Sequence, residues 1–215
     1  PFKMQSRVDL MTADNVRSLR RAGCAEVWMG VESGSQKILD AMDKGTRVEQ
    51  IAKARENLRQ EGIRACYFLQ FGYPGETWQD IQNTIKLVRD TRPDDIGVSV
   101  SYPLPGTKFF DRVQAQLGDK TNWSDSEDMA MMFQGAYTNE FYRALHDALH
   151  AQVDSWSWCS TQGTQRKQPP RHERDELWRR VMHLEKTCRN PKPTLLNSFP
   201  GQQLVQLQAP VYATS

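Results

Sequence analysis

Short apolar runs alternate with segments of helical periodicity along the first 110 residues of the chain. The runs are short enough to be buried strands, and the apolar residues between them recur every three or four positions, as on amphipathic helices. Strand–helix repeats with short connections are typical of parallel sheets with right-handed crossovers. The pattern therefore predicts an α/β fold, either an open parallel sheet or part of a larger barrel. The predicted strands cover residues 6–11, 26–31, 64–71 and 96–102.

Capping residues mark the ends of the predicted helices. Thr12 and Thr77 are predicted N-caps, and Thr46 with Glu49 three residues later forms a predicted capping box. Glycines follow several of the helical segments, where a left-handed residue ends a helix at low cost. The predicted helices cover residues 15–22, 35–41, 46–61, 77–89, 109–117, 139–153 and 175–189.

The regular alternation ends near residue 118, which divides the chain into three predicted parts. Residues 1–118 form the parallel α/β part, and residues 119–154 are expected to be a helical cap or substrate region. Residues 155–174 are rich in Ser, Gln, Pro and basic residues, a composition typical of linkers. Residues 155–215 are therefore predicted to be a linker, a short helix and an extended, disordered tail.

Composition restricts the partners that the chain can have. It has 215 residues with 25% charged and 38% hydrophobic residues and a net charge of +2. This balance gives no electrostatic reason to expect a nucleic-acid partner, and no apolar run reaches the roughly 20 residues that span a bilayer. No signal-peptide core is present, and we expect a cytoplasmic protein. Because the chain begins at Pro1 without Met, we also expect it to be a piece of a longer chain.

The cysteines and histidines predict no metal site within this chain. Cys24, Cys66, Cys159 and Cys188 are far apart in sequence, so no Cys-x-x-Cys pair exists for zinc or an iron–sulfur cluster. We interpret Cys24 and Cys66 as buried, reduced thiols. His146 and His150 have the helical spacing of metal ligands but lack an obvious third ligand, and we interpret them as polar residues of a helix face.

Polar residues at the ends of the predicted strands are the candidates for a binding site, because ligands of parallel α/β folds bind beyond the carboxyl ends of the strands. Glu32 follows the strand over residues 26–31, and its carboxylate could hold ribose hydroxyls or an ammonium group. Ser33 and Ser35 begin the next helix and offer backbone N–H groups to an anion. The alternative is that Glu32 only complements the dipole of that helix.

The two following strands contribute further candidates. Gln70 is a polar residue in an otherwise apolar strand, and a buried polar side chain needs a partner that a ligand could supply. Ser99 and Ser101 alternate with valines, so both point to one face of the sheet. If that face lines the interior of a barrel, both hydroxyls line the cavity.

The turns that follow the strands resemble those of the radical S-adenosylmethionine (radical SAM) superfamily. The resemblance extends over about residues 5–150 and is closest to the branch that often has an N-terminal cobalamin-binding domain. It implies strands three to six of a partial (β/α)6 barrel that binds S-adenosylmethionine and a 4Fe–4S cluster. The matching motifs are Gly30-Val-Glu-Ser-Gly-Ser35, Lys44-Gly-Thr, Phe71-Gly-Tyr-Pro-Gly-Glu-Thr77 and Tyr102-Pro-Leu-Pro-Gly-Thr107.

The resemblance also implies roles for individual residues. Glu32 matches the residue that contacts the ribose of S-adenosylmethionine, and Lys44 matches the basic residue that meets its carboxylate. The remaining implied contacts lie on the last two strands: Gln70, Phe71 and Gly72 near the adenosyl group, and Tyr102 and Pro103 near the adenine. No catalytic residue is identified.

The family holds its cluster on a Cys-x3-Cys-x2-Cys loop, and this chain contains no such loop. We therefore expect the cluster ligands to lie outside the chain and the chain alone to be inactive. The implied function of the intact protein is reductive cleavage of S-adenosylmethionine to a 5′-deoxyadenosyl radical that modifies a small-molecule substrate, with methylation as one option. An electron donor such as a flavodoxin or ferredoxin is implied, and cobalamin is left open as a further cofactor.

Two other functions are weighed against this one. The first is a non-catalytic cofactor-binding or scaffold module that has lost its cluster. The second is an ordinary α/β hydrolase or dinucleotide binder, which the sequence disfavours because it contains neither Gly-x-Ser-x-Gly nor a Gly-x-Gly-x-x-Gly that opens a helix after a strand.

Overall fold

The computed structural model describes residues 1–117, 129–156 and 169–195. Strands and helices alternate through the first of these ranges, and helices follow in the other two. The strands are β1 (Phe2–Ser6), β2 (Cys24–Glu32), β3 (Arg64–Phe71) and β4 (Asp95–Val100). The helices are α1 (Ala13–Arg21), α2 (Gln36–Ala41), α3 (Val48–Gln60), α4 (Trp78–Thr91), α5 (Lys108–Leu117), α6 (Asn139–Asp154) and α7 (Arg171–Thr187).

In the described residues the strands form one sheet of order β1-β2-β3-β4, and every neighbouring pair is parallel. The register sets Trp28 beside Cys66, and Phe68 between Gly30 and Gly97. Because each strand returns to the sheet after at least one helix, the carboxyl ends of all four strands lie at one edge. The predicted parallel α/β class is confirmed.

The two faces of the sheet have different environments. Alternate residues such as Met29, Leu69 and Phe71 are buried in the main hydrophobic core, together with Val16 of α1 and Ile81 of α4. We call the opposite side the open face, because its side chains are largely only partly buried. The open face carries Trp28, Gly30, Glu32, Phe68, Gln70, Gly97 and Ser99.

The first and last predicted strands have different bounds in the structure. The predicted strand over residues 6–11 is wrong beyond Ser6, because residues 8–10 form a short 3-10 helix. Val8 within it and Met11 directly after it are buried. These apolar residues therefore pack a helical turn into the core and do not form a strand. Strand β4 ends at Val100, two residues before the predicted end, although the Ser101 amide still donates to the Phe71 carbonyl at 2.7 Å.

Two of the three predicted N-caps are confirmed by the structure. Thr12 and Thr77 cap α1 and α4 as predicted, each accepting a hydrogen bond from the backbone three residues on. The predicted cap at Thr46 is wrong by one residue, since Arg47 precedes α3 and its amide donates to the Gln50 side chain at 2.7 Å. Thr46 is instead buried.

The C-terminal helices pack on the strand–helix part. Helix α6 is buried along Phe141, Tyr142, Leu145 and Leu149 and contacts β4 and α7. Helix α7 begins at Arg171, four residues before the predicted start. Residue 118, residues 119–128 of the predicted cap and residues 157–168 of the predicted linker lie outside the described residues, and the division into three parts stays a prediction.

Residues 190–195 lie alongside the segment that precedes α6. The Asn190 and Thr194 amides donate to the carbonyls of Ala136 and Gln134, both at 2.9 Å. The Thr194 carbonyl in turn accepts from the Gly75 amide at 3.0 Å, in the loop between β3 and α4. Residues 190–195 are therefore hydrogen-bonded, through Thr194, to a turn at the carboxyl edge of the sheet. The rest of the predicted tail, residues 196–215, lies outside the described residues.

Candidate functional site

A cavity of about 400 Å³ lies on the open face, toward the carboxyl ends of β1 and β2. Its walls combine charged and polar side chains with two aromatic rings, so it offers a ligand both ion pairs and an apolar surface. Two of the residues expected from the sequence, Glu32 and Lys44, are among those that line it. The full lining is Gln5, Ser6, Arg7, Trp28, Gly30, Glu32, Lys44, Thr46 and Phe68.

A strained turn presents Glu32 to the cavity. The register of β2 against β3 shifts between Gly30 and Glu32, and Glu32 has a φ of 61°, in the left-handed region. The Ser33 amide donates to the Val31 carbonyl at 2.8 Å and closes a three-residue turn around Glu32. Left-handed backbone is unusual outside glycine, and such strain and bulges are concentrated next to functional sites. The turn changes the direction of the chain where the acidic side chain meets the cavity.

Lys44 reaches the cavity from the end of α2. The Lys44 amide donates to the Leu39 carbonyl at 3.1 Å and the Asp43 amide to the Asp40 carbonyl at 3.0 Å, the paired bonds of a Schellman motif. Asp43 takes the left-handed position with a φ of 57°, where glycine is usual. The Lys44 ammonium then forms an ion pair with Glu32 at 2.8 Å. One anionic and one cationic group therefore lie together on the cavity wall.

Ser33 and Ser35 lie away from the cavity, against α4. The Ser33 hydroxyl is 3.2 Å from the Thr84 hydroxyl, and the Ser35 hydroxyl donates to Asp80 at 2.6 Å. Both residues are buried. The contacts fasten the turn after β2 to α4, and the cofactor role of both serines stays a prediction.

The residues expected on β3 are divided between the two faces. Gln70 is on the open face beside Ser99, whose hydroxyl donates to the Leu69 carbonyl at 3.4 Å. Phe71 is buried in the core on the other face. Gly72 lies beneath α6, since a Cβ on it would come within 3.1 Å of the Tyr142 hydroxyl. The structure therefore sets Gln70 and Ser99 on the open face but outside the cavity lining, and Phe71 and Gly72 away from that face.

The residues that follow β4 occupy the same carboxyl edge. Ser101 is fully buried, and its hydroxyl has no hydrogen-bond partner among the described residues. Tyr102 is partly buried against the core, and Pro103 is buried. Glu32, Gln70 and Tyr102 lie at or just beyond the ends of neighbouring parallel strands. The parallel strand order therefore allows these three side chains to lie at the same edge of the sheet, while their roles in binding stay predictions.

Sequence reasoning missed the floor of the cavity. The rings of Trp28 and Phe68 stack with centroids 4.9 Å apart at an interplanar angle of 30°. Below them, Glu26 accepts hydrogen bonds from the Trp28 indole at 3.0 Å and from Arg64 at 2.6 Å, and pairs with Lys3 at 2.9 Å. Glu26, Trp28 and Gly30 alternate along β2, which would indicate one shared face. The residues between them are apolar, so the alternation did not distinguish the cavity face from the core face.

Burial and neighbouring charges shift the pKa of the Glu26 carboxyl in opposite directions. Burial alone would raise the pKa of its carboxyl, but hydrogen bonds from Lys3 and Trp28 and the charge of Arg64 hold that pKa below its usual value. The carboxylate is therefore ionised at neutral pH and keeps its three partners. It fixes the orientation of the indole ring at the floor of the cavity.

The described cysteines and histidines form no metal centre. Within the described ranges, no group of three or more His, Cys, Asp or Glu residues is arranged to hold a metal ion. Cys24 and Cys66 are free and buried, and burial raises the pKa of the Cys66 thiol, which makes it a poor ligand or nucleophile at neutral pH. The rings of His146 and His150 are 4.3 Å apart on α6, and His146 contacts Asp147. No helix in the described part of the chain has the length and apolar content to cross a membrane.

A parallel strand–helix sheet with an acidic and a basic group at its carboxyl edge defines an α/β protein with a candidate ligand site in the usual position for this class. Residues 1–88 match the model of the radical SAM superfamily. This part of the chain is therefore similar to that superfamily, which is the resemblance that the turn motifs predicted.

The chain is similar to parts of longer proteins. An uncharacterised methyltransferase of Pyrococcus horikoshii is 28% identical over 106 residues, which cover 49% of this chain and 23% of that protein. The anaerobic magnesium-protoporphyrin IX monomethyl ester cyclase of Rubrivivax gelatinosus is 32% identical over 108 residues, or 50% of this chain and 19% of that protein. The chain therefore spans only about a fifth of the length of these relatives.

One solved structure supports the fold. The archaeal Elp3 of Methanocaldococcus infernus, with an N-terminal deletion, superposes with a TM-score of 0.51 and 20% identity, covering 87% of this chain and 42% of that one. At this identity the likeness shows the fold alone. Together with the superfamily match, it confirms the expected part of a radical SAM-type (β/α) barrel.

Proposed function

We propose that this chain is the part of a radical SAM enzyme that binds the sugar and methionine ends of S-adenosylmethionine. The observation that carries the proposal is the Glu32–Lys44 pair, which a strained turn and a Schellman motif bring together on the cavity wall. The Glu32 carboxylate accepts hydrogen bonds from ribose hydroxyls, and the Lys44 ammonium pairs with the carboxylate of the methionine. The cavity has charges of both signs, which suits a ligand that carries an ammonium, a sulfonium and a carboxylate group.

A 4Fe–4S cluster, once bound in the intact protein, would supply the electron for reductive cleavage of S-adenosylmethionine. The described cysteines do not fit this cluster, because Cys24, Cys66 and Cys188 form no metal-binding group. We therefore propose that the cluster ligands lie outside this chain. Within this chain, the Glu32 and Lys44 side chains bind and orient the cofactor.

The reaction class is the less specific part of the proposal. One relative is named a methyltransferase and another a cyclase, so methylation of a small molecule is one option among several. A separate electron donor such as a flavodoxin or ferredoxin, cobalamin as a second cofactor and a cytoplasmic location belong to the same proposal. The alternative of a non-catalytic cofactor-binding module also predicts binding of S-adenosylmethionine, but without iron in the intact protein.

Replacing Glu32 tests the proposed cofactor site directly. In the intact protein that carries this chain, we expect Glu32→Ala to weaken S-adenosylmethionine binding by about 1–3 kcal/mol, or about 5- to 150-fold, the usual effect of losing a charged hydrogen-bond partner. The measurement is isothermal titration calorimetry without reductant. The matched control is Glu49→Ala, which removes an exposed acid from α3, away from the cavity lining. Equal affinity of Glu32→Ala and the unchanged protein would remove Glu32 from the site.

A further inference from the structure

The aromatic floor of the cavity has no function in binding the ribose or the methionine of the cofactor. Trp28 and Phe68 are only partly buried, although large aromatic side chains inside a barrel are normally covered by neighbouring layers. Their stacked rings border the cavity of about 400 Å³ on its strand side. The rings therefore present a flat apolar surface to the space beside the Glu32–Lys44 pair.

Glycines on both sides keep this surface uncovered. In the sheet register, Phe68 pairs with Gly30 on β2 and with Gly97 on β4. A Cβ on Gly97 would lie 3.2 Å from the Phe68 ring and 3.5 Å from the Trp28 ring, so the two rings already occupy the space above this glycine. A Cβ on Gly30 would instead lie 3.0 Å from the Glu32 carboxylate and 3.6 Å from the Lys44 ammonium, at the cavity wall. The row Gly–Phe–Gly thus leaves room for the rings to lie flat.

A charged network holds the rings in place before any ligand binds. The indole N–H donates to Glu26, and Glu26 is fixed by Lys3 on one side and Arg64 on the other. A preorganised ring loses little conformational freedom when a ligand stacks on it. The cavity rim adds hydrogen-bonding groups in Gln5, Ser6, Arg7 and Thr46. Flat faces below and polar groups around the edge suit a planar ring with polar substituents.

We infer that Trp28 and Phe68 form a stacking platform for a planar aromatic or conjugated ring of the substrate, next to the cofactor site. The inference rests on the proposed function and names the substrate class of the same cavity. The adenine of the cofactor is the competing occupant. Planar rings gain about 0.5–1.5 kcal/mol from each well-placed aromatic partner beyond the burial of area.

The test uses the intact protein and 4-fluorophenol as a planar probe, followed by fluorine NMR. We expect Phe68→Leu and Trp28→Leu each to weaken probe binding by about 2- to 12-fold, which is the fold-change of one aromatic contact. Trp28→Phe keeps a ring and should recover much of the loss. The control is Trp78→Leu, because Trp78 packs edge-on against Phe141 and is not part of the cavity lining. The saturated 4-fluorocyclohexanol should bind more weakly and be insensitive to all of these changes.

Two further measurements separate the possible outcomes. Titration of each variant with S-adenosylmethionine shows whether the cofactor still binds. If it binds but the probe does not distinguish Phe68→Leu from Trp78→Leu, the platform is refuted while the proposed function stands. If saturating S-adenosylmethionine displaces the probe, the rings belong to the cofactor adenine and the inference fails. If S-adenosylmethionine does not bind the unchanged protein, the proposed function fails whatever the probe does.

Discussion

Gly34→Ala is expected to destabilise the chain by about 3 kcal/mol, because the turn after β2 touches the backbone of α4. A Cβ on Gly34 would lie 2.5 Å from the Asn83 carbonyl oxygen and 2.7 Å from the Thr84 Cα. Backbone atoms inside a helix cannot move aside as the end of a side chain can. The turn must therefore shift away from α4.

That shift would break the contacts that hold the turn in place. The Gly34 amide donates to the Thr84 hydroxyl at 2.9 Å, and Ser33 and Ser35 contact α4 on either side of it. Each hydrogen bond lost inside the core leaves a buried polar group without a partner, at a cost of about 1–3 kcal/mol. Glu32 directly precedes this turn, so its position on the cavity depends on the same contacts.

Thermal unfolding followed by circular dichroism measures the effect. For a chain of this size we expect the midpoint of Gly34→Ala to fall by about 6–12 °C. Gly97→Ala is the matched control, since it adds the same methyl group but meets only the side chains of Phe68 and Trp28, at 3.2 Å and beyond. These rings can adjust, and we expect a loss of about 1 kcal/mol or less. Equal midpoints for the two variants would show that the turn does not depend on its contact with α4.

The parallel α/β class and the acidic end of β2 could be predicted because each depends on a local pattern. Arg64–Phe71 is bounded by Gly62 and Gly72, and its apolar run identifies a buried parallel strand. Glu32 follows the apolar run of β2, so its place at the carboxyl edge follows from the order of strands. The capping residues Thr12 and Thr77 were equally local signals.

The shape of the site depends on features that the residue types conceal. Glu32 and Asp43 adopt left-handed backbone conformations in which glycine is the usual residue, so nothing in the sequence announces the two turns. Trp28 and Phe68 belong to strands with apolar residues on both faces, where alternation cannot separate a core position from a cavity position. Ser33 and Ser35, which were expected at the cofactor, lie against α4 instead. Their hydroxyls form hydrogen bonds with Thr84 and Asp80, respectively, which are 51 and 45 residues further along the chain.

The second large effect that we expect is a dependence of stability on pH, caused by a buried acid in the turn after β3. Glu76 is 3% exposed, one carboxyl oxygen accepts from the Gly72 amide at 2.7 Å, and the other has no partner among the described residues. Burial raises the pKa of Glu76 to about 8, against the hydrogen bond from Gly72, which lowers it. The carboxyl is therefore protonated in the folded chain at neutral pH.

The sign of the effect follows from the raised pKa. Below the usual value near 4.5, both the folded and the unfolded chain hold the proton, and the contribution of Glu76 to stability is fully present. Between that pH and about 8, only the unfolded chain releases it, so the free energy of unfolding falls by about 1.4 kcal/mol for each pH unit. Above the folded pKa both states are ionised and the loss is complete.

Glu76→Gln removes this titration and keeps an oxygen that can accept the Gly72 hydrogen bond. We expect the variant to be close to the unchanged chain at pH 5 and more stable than it at pH 9, by roughly 3–5 kcal/mol. Urea unfolding of both chains across this range, with Glu49→Gln as an exposed control, measures the difference. A difference between Glu76→Gln and the unchanged chain that stays constant with pH would show that Glu76 is ionised in the fold. The carboxylate would then need a cation or a second donor in the turn, and the loop between β3 and α4 would have to open to provide it.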